Sequence, residues 1–89
     1  MHYFEAKHHE QAWRYSRIAA ESASRTLANV EAARLYERAL EASRLLGNLE
    51  SSQRAQVFEE FAEVLLLLGE FNKATTALSK ARKRGWYGA

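Results

Sequence analysis

Three histidines, His2, His8 and His9, with Glu10 beside them, are the residues of this chain best suited to hold a metal ion. A zinc site needs about four ligands converging from different directions. His8 and His9 are sequence neighbours and diverge on a turn, and no second cluster downstream supplies the missing ligands. A solvated turn is therefore expected there, with no metal and no other cofactor. Nucleophilic catalysis lacks its parts as well: every histidine lies within the first nine residues and cysteine is absent, so neither a Ser/His/acid nor a Cys/His set can assemble. The glycines are isolated, which leaves no phosphate-cradling loop. No catalytic residue is expected, and the chain reads as a non-enzyme.

Charge offers more than catalysis does. Arg14, Arg17, Glu21 and Arg25 recur at helical spacing and fall within about 80° of one another on a helix. Guanidinium forks match carboxylates, so such a stripe suits an acidic protein segment. A solvated face whose charges pair among themselves is the competing reading. The formal charge of +2 is unevenly spread: Lys80, Arg82, Lys83 and Arg84 crowd the C-terminal end. Cations in a last helical turn complement the helix dipole. They are not laid along a face with interleaved aromatics, which argues against a nucleic-acid partner.

The elements that must position these residues are all helical. Proline and aspartate are absent and Ala, Leu, Glu and Arg dominate, the strong helix formers. Gly47, Gly69 and Gly85 each follow a helical-period stretch, where a left-handed residue closes a helix. Ser51 and Ser52 are available as N-caps. Helices are expected near 10–27, 29–46, 52–68 and 71–84, with a stub over 2–8, a tail over 85–89 and a tight turn at Leu27 to Asn29. The whole is one domain of two hairpins, about 10–46 and 51–84. In the third helix Ala55, Val57, Phe58, Phe61, Ala62, Val64, Leu65, Leu66 and Leu68 spread over roughly 200°, too wide for a single neighbour. The other helices carry narrower stripes: Ala12, Tyr15, Ala19, Ala20, Ala23 and Leu27; Ala32, Leu35, Tyr36, Ala39, Leu40, Ser43 and Leu46; Phe71, Ala74, Ala77, Leu78 and Ala81. The longest apolar run, Val64 to Leu68, falls far short of the ~20 residues a membrane span needs. A cytoplasmic location without membrane contact is expected.

Sliding the chain by 42 places Gln11 on Gln53, Ala20 on Ala62, Glu21 on Glu63, Ala32 on Ala74 and Ala39 on Ala81. Two tandem hairpins follow from that self-similarity. In the second, Phe58, Phe61, Ala62, Leu65, Ala74, Leu78 and Ala81, with the turn Leu68-Gly69-Glu70-Phe71, resemble the tetratricopeptide (TPR) repeat. The first unit resembles it more distantly, through Ser16, Ala19, Ala20, Ala23, Ala32, Tyr36 and Ala39. The period exceeds the usual 34, and Trp86 stands where the repeat's terminal proline would be. The longer period resembles the C-terminal arrays of large bacterial signalling ATPases, nucleotide cyclases and transcriptional regulators.

That resemblance implies an α-solenoid fragment and a protein-interaction scaffold, a segment of a larger regulatory protein. It also implies a partner-binding groove lined by the first helix of each hairpin: Arg14, Arg17, Glu21 and Arg25 beside Gln56, Glu59 and Glu63. The offset sets Arg17 against Glu59, so these charges are also placed to neutralise each other across the groove. The alternative function is a self-associating structural module, natural or designed. Its contacts would be Tyr3, Phe4, Trp13, Trp86 and Tyr87, aromatic surface near the two ends of a stack whose polar cap is Thr75, Thr76, Ser79 and Lys80.

Overall fold

The computed structural model describes residues 2–47 and 49–81, with side chains from residue 7 onward. Four helices follow in order: α1 (His2–Arg25), α2 (Asn29–Arg44), α3 (Ser51–Leu67) and α4 (Phe71–Ala81). There is no strand among the described residues. The fold is the expected all-α arrangement, with α1 packed on α2, α3 on α4, and α2 on α3. The stub expected over 2–8 is not a separate element. Nothing between His2 and Glu10 breaks a helix, so α1 runs through it without interruption.

Alanine sets the packing. Ala20, Ala32, Ala39, Ala62, Ala74, Ala77 and Ala81 are all buried. Small side chains there let helix axes approach to the short end of the usual 8–10 Å range. Trp13, Tyr36, Leu40, Phe58 and Leu65 fill the space between the alanines. The wide apolar arc of α3 is real: Ala55, Phe58, Ala62 and Leu65 are buried on one side, Val57 and Val64 on another. Leu66 departs from that expectation and is exposed, as are Tyr15, Leu27 and Phe71, which belonged to the contact stripes of their helices. Each of the four lies at a turn or on the outermost helix, where no further helix covers it.

Both hairpin turns are Schellman closures. At the second, the Glu70 N–H donates to Leu65 O at 2.8 Å and the Gly69 N–H to Leu66 O at 3.1 Å. Gly69 takes the left-handed φ of +80° that this closure requires. At the first, the Ala28 N–H donates to Ala23 O at 2.9 Å and the Leu27 N–H to Ser24 O at 3.1 Å. Leu27 is the structural counterpart of Gly69, and it too has a positive φ, of 63°. A leucine held there costs about 1–2 kcal/mol. Leu27→Gly is expected to raise unfolding free energy by about 0.5–1 kcal/mol, after allowing for glycine's larger unfolded-state entropy. A higher urea midpoint at unchanged slope would show it.

The remaining caps differ from expectation. Gly47 is not left-handed, because α2 closes on Leu45 at φ −87°, where the Leu45 N–H donates to Ala42 O and the Leu46 N–H to Ser43 O, each at 3.1 Å. Glu50 takes the N-cap of α3 in place of either serine, its N–H donating to Gln53 Oε1 at 3.4 Å as one arm of a capping box. Gly85 lies outside the described residues.

Candidate functional site

Two polar regions flank the contact between the hairpins. The first gathers around Tyr36 and Glu60, on α2 and α3. Tyr36 is 2% exposed, and its ring lies 6.4 Å from that of Phe61. Gln56 Nε2 donates to Glu60 Oε2 at 3.5 Å. Glu60 Oε1 is shielded from solvent, and the Tyr36 hydroxyl faces the same carboxylate. From α1, Arg17 and Glu21 act on the same carboxylate and pair with each other at 3.8 Å. Burial pushes the Glu60 carboxyl above the usual carboxylate range and Glu21 adds to it, while Tyr36, Arg17 and Gln56 pull the other way. The Tyr36 hydroxyl is pushed well above the ordinary phenol range, by burial first and then by Glu60, Glu21 and Glu63.

This is where part of the sequence-predicted groove assembles. Arg17, Glu21, Gln56 and Glu63 come together around Tyr36 and Glu60, two residues that charge patterning alone did not single out. Arg14 instead pairs along its own helix with Glu10, at 3.9 Å in solvent. Arg25 lies exposed at the end of α1, and Glu59 is exposed on α3. Arg17 pairs with Glu21 and acts electrostatically on Glu60 rather than on the expected Glu59, because Glu60 is the residue turned toward the first hairpin. The cluster sets three carboxylates, Glu21, Glu60 and Glu63, against one guanidinium.

A pH dependence follows. Glu60 titrates higher in the folded chain than in the unfolded one, so over that interval the folded state binds more protons. Stability therefore rises as pH falls through the folded value, and the gain is complete below the ordinary carboxylate range. The facing groups are Arg17 and Glu21 from α1, Tyr36 from α2 and Gln56 from α3. Acidification from neutral pH to the lower end of the ordinary carboxylate range is expected to raise the melting temperature. Glu60→Gln should raise it at neutral pH and flatten the dependence, as read by circular dichroism.

The second region is a groove among α2, α3 and α4. It encloses about 470 Å³ against Leu40, Phe58 and Phe61, rimmed by Glu37, Glu41, Arg44, Arg54 and Lys80. A further 380 Å³ continues along α4 past Lys73 and Thr76. Cations cluster at one ring: the Arg54 guanidinium lies 5.7 Å from the Phe58 centroid and Lys80 Nζ 5.9 Å, both within cation–π range. Arg54 is held there, its Nε–H donating at 2.9 Å to the buried Ser43 Oγ, which itself donates to Leu40 O at 2.7 Å. Arg44 pairs with Glu41 at 2.6 Å. Arg44, Arg54, Lys73 and Lys80 thus face Glu37 and Glu41 over an apolar floor. Sequence reading missed this site because its residues are spread over three helices, and only the Ser43–Arg54 bond and the Phe58 stacking bring them together.

The aromatics expected to drive self-association fare differently. Trp13 is 4% exposed and belongs to the core, with Arg17 over its ring at 5.6 Å. It sits on the same helical face as Ser16 and Ala20, which also are buried, so it cannot meet another copy. The side chains of Tyr3 and Phe4, and all of Trp86 and Tyr87, lie outside the described residues, as do Arg82, Lys83 and Arg84. The His8 and His9 rings meet edge to face, 6.2 Å apart. Among the described residues no group of three or more His, Cys, Asp or Glu is placed to hold a metal ion, and no helix is long and apolar enough to cross a membrane. No family model, curated protein or solved structure matches the chain.

Proposed function

We propose that the chain is a non-catalytic protein-interaction scaffold that holds an acidic, partly apolar segment of its partner in the groove among α2, α3 and α4. The observation that carries this reading is the pair of cations from different helices, Arg54 and Lys80, poised over one phenylalanine at the floor of an open groove. A carboxylate seated between them meets both charges, while an adjoining apolar side chain covers Phe58 and Phe61. The expected α1–α3 groove suits such a ligand less, since Glu21, Glu60 and Glu63 repel it. The TPR-like turn at Leu68 to Phe71 supports the further reading that these hairpins work in the cytoplasm as part of a larger regulatory protein.

Titration with a labelled peptide of alternating Glu and Leu tests the proposal. Binding should weaken with salt, as expected for exposed charges screened over about 10 Å. Lys73→Glu together with Lys80→Glu should lower affinity at least about tenfold, near 1.4 kcal/mol. Both lysines are exposed, so the fold should hold, with at most a small drop in melting from Lys80 at the last turn of α4. Equal binding of a Lys/Leu peptide, or no loss in the double variant, would overturn the assignment.

A further inference from the structure

Ser43 is buried to 1% exposure on the α2 face that meets α3. Packing alone does not call for a hydroxyl there. Ala39, one turn earlier on α2, is equally buried with a plain methyl, and alanine has the higher helix propensity. The hydroxyl is tolerated because Ser43 Oγ donates to Leu40 O at 2.7 Å within its own helix. What serine adds over alanine is an acceptor, and it is used: the Arg54 Nε–H reaches it from α3 at 2.9 Å.

That bond decides where the guanidinium sits. An arginine side chain is long, loses much rotamer freedom when fixed, and when unrestrained turns its charged head toward water. A bond at Nε pins the end of the stem and the guanidinium plane together. In this position Cζ lies 5.7 Å from the Phe58 ring centroid, and Lys80 Nζ approaches the same ring from α4 at 5.9 Å. Two cations gathered at one ring repel each other. The Ser43 bond holds Arg54 in place against that repulsion, and an anion seated between the two cations relieves it.

We infer that Ser43 is a positioning residue of the α2–α3–α4 groove: it holds Arg54 beside Lys80, so that a ligand carboxylate meets the two cations as a preformed pair. This rests on the reading of that groove as the site of an acidic segment. Ser43 is not among the residues that line the groove and, buried as it is, touches no ligand. Its effect passes through Arg54. Binding groups already fixed in place raise affinity, because their ordering cost is met before the ligand arrives. Ser43→Ala therefore leaves the charge of the groove intact and weakens binding only by loosening one of its cations.

The labelled Glu/Leu peptide, titrated against the full chain and its variants, tests this. Ser43→Ala should bind about three- to tenfold more weakly than wild type, with helicity unchanged. In an Arg54→Met background, where the stem remains without its donors, Ser43→Ala should cause no further loss. A loss that persists there would mark a purely structural effect and overturn the inference, as would equal binding by wild type and Ser43→Ala. NMR reads the tether without any ligand. The Arg54 Nε–H should exchange slowly with water, unlike that of the solvent-exposed Arg14, and the protection should vanish in Ser43→Ala. Exchange as fast as that of Arg14 in the wild type would also overturn the inference. A wild-type chain that binds no acidic peptide overturns the groove reading and the role of Ser43 together. Binding that responds to Lys73→Glu with Lys80→Glu but not to Ser43→Ala overturns the role of Ser43 alone.

Discussion

Replacing Tyr36 by alanine should remove a large share of the chain's stability at room temperature. The ring is almost wholly buried, on the α2 face that meets α3, and packs 6.4 Å from Phe61. Removing a buried aromatic costs about 3–5 kcal/mol through lost burial and the cavity left behind. A chain of this length has a total stability of about 4–13 kcal/mol, and the α2–α3 contact is the principal join between the hairpins. Little else can take over. Ser43 and Arg54 bridge the same helices, but one partly buried hydrogen bond contributes only about 1–3 kcal/mol. Tyr36→Phe keeps the ring and loses only the hydroxyl that faces Glu60, so most of the stability should survive. Urea titration followed by circular dichroism separates the two. If Tyr36→Ala and Tyr36→Phe lose similar amounts, the hydroxyl and its carboxylate neighbours hold the hairpins together, and ring packing does not.

How much of this was legible beforehand depends on whether a feature is local. The four helices and the close alanine contacts follow from composition and the 3.6-residue period, because a helix needs only its own neighbours in sequence. The turn at Leu27 to Asn29 was readable although no glycine marks it, since the apolar stripe shifts there. What failed were features set by the partner helix. Tyr15 and Trp13 are both aromatic residues in α1, two positions apart. Sequence spacing put Tyr15 inside and left Trp13 for another copy, whereas the fold buries Trp13 and exposes Tyr15. Two apolar stripes run along α1, and which one faces α2 is decided by the shape of α2. The groove charges show the same limit. Arg17 and Glu21 were found because they lie one turn apart, whereas Glu60 matters only because α3 turns it toward α1. The offset of 42 predicts corresponding positions, but Ile18 corresponds to Glu60: Ile18 is exposed on α1, whereas Glu60 lies beside Tyr36 where α2 meets α3.

Trp13→Ala is the substitution that separates the two accounts of α1. If Trp13 served an interface between copies, its loss would reduce mass at high concentration and leave the monomer's melting unchanged. Its 4% exposure and its place beside Ser16 and Ala20 lead to the opposite expectation. Truncation should cost about 3–5 kcal/mol, since an indole in the core fills a volume that nearby alanines cannot close over. The small residues that let α1 approach α2 leave this ring to carry much of the hairpin's apolar burial. Arg17 would also lose the ring it covers, at 5.6 Å, a contact contributing about 0.5–1 kcal/mol where exposed. Fluorescence offers a reading without destabilisation. With Trp86→Phe removing the only other tryptophan, emission should be that of a dry indole at every protein concentration, and it should move to longer wavelength only on unfolding. An emission maximum that shifts with dilution alone would return Trp13 to the surface.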